Sequence, residues 1–215
     1  MEKQRSFWYF SKREKIDLIV SWLTLSLAFA VVLMNIDFVG SMAGIGSAIS
    51  LSLAIPIALL SVGTGFVFHE LAHRQAARHY GFVSEYRAWY PLLGFAVIFA
   101  FLTGWILAAP GATYFFAREV TRKQNGIISV AGPMTNIIIG LVLILFLPLA
   151  ADGFMQTLLV AASRINFFFA FFNLLPIFLL DGKKVLAWNP KVWLAAIIIP
   201  TIASFFPQLI YGFFI

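Results

Sequence analysis

His69, Glu70 and His73 stand in the order H-E-x-x-H inside the stretch GTGFVFHELAHRQAARHYG, residues 63–81. On a helix, side chains four apart lie one above the other on the same face, so the two imidazoles can converge on a single metal ion. With one further protein ligand, Zn²⁺ keeps an open fourth position, where water becomes a hydroxide source near neutral pH and a neighbouring carboxylate can take its proton. Glu70 is placed to be that carboxylate, and the chemistry is peptide-bond hydrolysis. So short a pattern recurs by accident, and its surroundings decide its weight. The chain has three histidines and two of them form this pattern, in an apolar segment where each polar group is costly and usually kept for function. The ordinary alternative has the imidazoles bonded to neighbouring helices and Glu70 paired with Arg74 one turn on.

A catalytic zinc site needs a third protein ligand. There is no cysteine, and only His79 remains among the histidines, so a carboxylate is expected. Glu2, Glu14 and Asp17 fall at the edge of the first apolar run and Asp37 and Asp152 in links on the other side, which leaves Glu85, Glu119 and Asp181. Asp181 follows Pro176, a helix-breaking residue, on a segment that returns to the side where the histidines lie. Glu85 beside Arg87 and Glu119 between Arg118 and Arg122 read more simply as interfacial ion pairs. Asp181 beside Lys183 and Lys184 has the same ordinary reading.

The elements that must position these residues are membrane helices. Of 215 residues 61% are hydrophobic and 11% charged, with a mean hydropathy of +0.93, more apolar surface than one soluble core can bury. The net charge of +6 comes from short basic clusters beside apolar runs, which favours anionic lipid headgroups over nucleic acid. Redox compartment is not readable without cysteine. Residues 1–15 read as an interfacial lead-in, followed by spans at about 16–36, 47–80, 125–150, 154–180 and 192–215, with links at 37–46 and 151–153. Gly81 is a natural stop for the helix carrying the motif. The segment 82–113 has arginines before and after it and glycines and Pro110 within it. Both its ends therefore want the same side, as in a re-entrant loop or hairpin. With the N-terminus cytoplasmic, every Lys and Arg except Arg164 then lies on the cytoplasmic side.

His69-Glu70-Leu71-Ala72-His73, with Asn173-Leu174-Leu175-Pro176 and Asp181-Gly182, resembles the paired signatures H-E-x-x-H and N-x-x-P-x-x-x-x-D-G of the site-2 protease family of intramembrane zinc metalloproteases. Gly132-Pro133-Met134-Thr135-Asn136 is similar to that family's G-P-x-x-N element. The resemblance covers about 47–182. It implies that His69, His73 and Asp181 bind zinc, that Glu70 is the base, and that Asn173 and Asn136 serve the substrate or the oxyanion. It also implies a membrane-embedded β-hairpin after the first motif. Many relatives carry a PDZ or CBS domain and six spans, whereas only one evident span follows Asp181 here.

The expected protein is an all-α polytopic membrane protein of about five transmembrane helices plus a re-entrant, hairpin-like segment, with 1–215 forming one metalloprotease domain. Its expected activity is zinc-dependent cleavage of transmembrane substrate proteins, with the site toward the cytoplasmic side. Two other readings remain open: a zinc carrier or sensor without hydrolysis, and a metallopeptidase with Glu119 as third ligand.

Overall fold

The computed structural model describes residues 9–34, 50–106, 110–150 and 153–212. The expected link at 37–46, most of the turn at 151–153 and the first half of the N-terminal lead-in lie outside the described residues. Helix α1 spans Lys12–Met34. Helix α2 runs from Leu51 to His79 and contains a π-helical turn, Gly63–Val67, just ahead of the H-E-x-x-H residues. It ends in a Schellman turn, with Phe82 N–H donating to Ala77 O and Gly81 N–H to Arg78 O. Gly81 takes φ 78° there, a left-handed conformation that costs glycine little.

Strands β1 (Val83–Ala88) and β2 (Gly111–Phe116) pair antiparallel, from Val83 opposite Phe116 to Ala88 opposite Gly111. Between them lies α3, Tyr90–Thr103. The segment expected to re-enter is therefore two paired strands joined through a helix, where the resemblance implied a hairpin. The pairing sets its two ends side by side. Helix α3 has 14 residues, fewer than the roughly 20 that cross a hydrocarbon core.

Helix α4, Arg122–Leu145, starts from a capping box in which Thr121 and Gln124 satisfy each other's backbone N–H. Helix α5, Phe154–Leu174, stops where Leu175 turns extended before Pro176, as the clash of a proline ring with the preceding residue demands. Helices α6 (Asp181–Trp188), α7 (Pro190–Phe205) and α8 (Gln208–Tyr211) complete the described chain. Among the described residues, four helices are long and apolar enough to cross a membrane: α1, α2, α4 with its 3₁₀ extension to Leu149, and α5. The last segment, expected at 192–215, begins as the 16-residue α7 and is interrupted before Pro207.

Two apolar cores hold the bundle. One joins α1, α2, α5 and β1 through Leu25, Phe29, Ile57, Phe66, Tyr86 and Ile165. The other joins α4, α5, α7 and α8 through Ile137, Phe167, Leu174, Ala196 and Tyr211. Leu102, Leu145 and Leu149 point outward, as a lipid-facing surface permits. Arg164, the cation that charge placement left unexplained, lies over the Tyr211 ring at 4.8 Å.

Buried polar contacts mount the sheet on the helix that carries the motif. Glu14 of α1 accepts from Arg74 Nε of α2 at 2.8 Å and from the Tyr86 N–H of β1 at 3.2 Å. The Arg74 guanidinium stacks 3.7 Å from the Phe10 ring centre. Asp17 accepts from the Tyr90 hydroxyl at 2.5 Å.

Candidate metal centre

The helical spacing of His69 and His73 brings their Nε2 atoms to 3.0 Å of each other. Asp181 closes the third side, with Oδ2 at 3.0 Å from His73 Nε2 and 3.5 Å from His69 Nε2. All three residues are at most 9% exposed. Among the described residues they are the one group of His, Asp or Glu side chains close enough to share an ion. Asp181 reaches them because Pro176 ends α5 and lets the chain turn back into α6. Gly182 is required in that turn, since a Cβ there would stand 1.9 Å from Leu174 O.

The other ring nitrogens settle the tautomers. His69 Nδ1–H donates to Asn136 Oδ1 at 2.5 Å and His73 Nδ1–H to Ile128 O at 2.7 Å. Both partners are acceptors only, so each imidazole, when neutral, directs an Nε2 lone pair toward the other and toward Asp181. Gly132 of α4 faces the same point, where a Cβ would lie 2.4 Å from His73 Nε2 and 2.7 Å from His69 Nε2. The glycine thus leaves a space in front of two lone pairs and a carboxylate oxygen.

Glu70 lies at the cleft with its Oε2 accepting from the Thr113 hydroxyl of β2 at 2.8 Å. Arg74, the ordinary partner considered for Glu70, is engaged by Glu14. The second oxygen of Asp181 is 3.6 Å from Lys184 Nζ. Burial works against the Asp181 charge, but in the metal-free site the facing imidazoles, when protonated, hold its carboxyl well below the ordinary carboxylate range. The cleft has a volume of about 200 Å³ and is walled by Glu70, the two histidines, Asp181, β2 and the phenylalanines of α5.

Of the other expected residues, Asn173 lines this cleft, its amide donating to Phe169 O. Asn136, expected at the substrate, is fully buried, with Oδ1 on His69 and Nδ2 on Gly65 O and Asn166 Oδ1. Glu119 is exposed and outside the cluster, and Glu85 pairs with Arg87. Thr113 and Asn166 were not found by reading the sequence. Asn166 did carry a signal, an amide inside an apolar helix. Nothing local marked Thr113.

No family model matches the chain, and no solved structure matches it. It is 39% identical over 189 residues to a Methanocaldococcus jannaschii protein named “Putative zinc metalloprotease”, a match spanning 87% of this chain and 91% of that one. A second protein of that organism, named “Zinc metalloprotease”, is 28% identical over 123 residues, 56% of this chain and 30% of its own length. With the first match running nearly end to end, the chain belongs to the same family of zinc metalloproteases as that relative.

Proposed function

We propose that the protein is a zinc-dependent endopeptidase of the site-2 protease type. It works within the membrane on transmembrane segments of other proteins, with its N-terminus and active site toward the cytoplasm. The observation that carries this reading is the convergence of His69, His73 and Asp181 beside Glu70, on helices apolar enough to cross a bilayer.

The donor set fits zinc. Separations of 3.0 to 3.5 Å match the edge of about 3.3 Å of a tetrahedron with bonds of about 2.0–2.1 Å. Two lone pairs and a carboxylate oxygen repel at that range unless a metal ion or a shared proton lies among them. Zinc bound there supplies Lewis acidity toward the scissile carbonyl and a water nucleophile at neutral pH. The chain's own groups do the rest. Glu70 takes one proton from the attacking water and delivers it to the leaving amine, while the Thr113 hydroxyl keeps that carboxylate turned into the cleft. Asn173, at the cleft wall, is the side chain suited to the developing oxyanion.

A helical substrate hides its carbonyls, so it must unwind before attack, and a strand edge can hold it once extended. The outer edge of β1 is capped by Glu14 through the Tyr86 N–H. Strand β2 borders the cleft. Trp89 N–H donates to Pro110 O, and the antiparallel alternation then points the N–H and C=O of Thr113 and Phe115 away from β1. Those are the groups we assign to the substrate.

Purified in detergent, the parent should hold stoichiometric zinc and cleave single-span substrates in a chelator-sensitive manner. Glu70→Gln should keep zinc and lose turnover. Asp181→Asn should weaken zinc binding by at least about 10- to 100-fold, and Glu119→Gln should leave it bound. Zinc held with no cleavage of any substrate would point to a carrier or sensor. Metal stripped by Glu119→Gln and kept in Asp181→Asn would overturn the ligand set.

A further inference from the structure

Asn166 touches none of the three ligands, yet its hydrogen bonds set the orientation of one of them. It sits fully buried within α5, where its Nδ2 donates to Ala162 O at 2.8 Å and to Thr64 Oγ1 at 3.1 Å. The Thr64 hydroxyl proton is already directed at the Ser61 and Leu60 carbonyls, 2.9 and 3.1 Å away, so toward Asn166 this oxygen only accepts. Both Nδ2 hydrogens of Asn166 are thereby used and its Oδ1 must face Asn136, accepting from Nδ2 at 3.0 Å. The second Nδ2 hydrogen of Asn136 goes to Gly65 O at 2.7 Å, within the π-helical turn. That leaves only Asn136 Oδ1 for His69 Nδ1, at 2.5 Å. A carbonyl oxygen accepts and does not donate, so the proton stays on Nδ1 and the lone pair on Nε2.

We infer that Asn166 is a positioning residue for the metal site: it holds the Asn136 amide in one of its two flips and, through it, the tautomer and ring plane of His69. The polarity of the relay is set by the Leu60 and Ser61 carbonyls of α2 and returns to the same helix at His69. A flipped Asn136 would present N–H to Nδ1, move the imidazole proton to Nε2 and close that nitrogen to a metal. This inference rests on the metal site proposed above.

The test measures Zn²⁺ affinity by chelator competition and the visible spectrum of bound Co²⁺, on the purified full chain in detergent. Asn166→Ala should lower zinc affinity by about 10- to 100-fold, the range of groups that orient a ligand from behind, and should alter the Co²⁺ bands. Asn136→Leu should do the same, and the pair combined should lose no more than Asn136→Leu alone, because one acts through the other. Asn166→Asp, neutral at this fully buried position, keeps a carbonyl oxygen toward Asn136 Nδ2 and an O–H toward Ala162 O, and should bind zinc close to the parent, including where the alanine variant fails to fold. Parent-like affinity in Asn166→Ala, additive losses in the pair, or an Asn166→Asp variant that binds zinc weakly would each overturn the inference. A parent that binds no zinc, or a His73→Ala variant that binds it fully, would overturn the metal site itself.

Discussion

Gly132 is the residue whose replacement would fill the space in front of the two imidazoles. Alanine favours a helix over glycine by about 1 kcal/mol, but its methyl would stand closer to both rings than van der Waals contact allows, so Gly132→Ala should fold only with the imidazoles displaced. The same methyl, 2.4 Å from His73 Nε2, should sharply reduce zinc retention, read by metal content and thermal denaturation on one sample. Retained zinc would mean that the ion sits elsewhere. That His69, His73 and Asp181 would come together was legible because their signals are local: two histidines at helical spacing, and an aspartate behind a proline. What Gly132 and Thr113 do was not legible. A glycine's contribution is the absence of atoms in front of another helix, and Thr113 meets Glu70 at a separation of 43 positions along the chain that no spacing rule connects.

At the scale of elements, the chain's stops were readable and its pairings were not. Gly81 and Pro176 act on their own neighbours, and each ends a helix where its chemistry requires. Strand β1 hides its period, since Ser84, Glu85 and Tyr86 in succession are all buried, and its partner lies beyond a whole helix. The side-by-side ends of the β1–α3–β2 unit lead to a labelling prediction. Single cysteines at His79 and Arg118, both exposed, in a chain with no native cysteine, should react with an impermeant reagent only from the cytoplasmic face. Labelling from opposite faces would make the unit a true span. The strand edge has its own comparison. Phe115→Pro removes an outward N–H and Phe115→Ala keeps it, so proline should depress cleavage well below alanine with zinc retained in both. Equal effects would exclude a role for that edge.

For the whole molecule, His69, His73 and Asp181 bring together segments from the sides of two apolar cores, which also meet along α5 and where α2 packs on α4. His69 and His73 come from α2 in the first core, and Asp181 opens α6 beside the second. An ion that binds only the folded chain stabilises it by mass action, so chelation should lower the thermal midpoint of the parent and leave that of His73→Ala unmoved. The difference should shrink as pH falls and the imidazoles protonate. Asp181 works in a different window in the metal-free chain: facing protonated imidazoles, its folded carboxyl is held below the ordinary range, so that contribution is present above the unfolded value of about 3.9 and is lost only as acid approaches the folded one.

The placement of the third ligand also bears on biosynthesis. The histidines and Glu70 are made first, and roughly a hundred further residues must be translated before Asp181, an interval on the order of ten seconds at about 5–20 residues per second. Asp181, which completes the cluster, arrives after α4 and α5 have been made, so on the proposed reading the chain acquires a complete metal site only once the helices that enclose it exist.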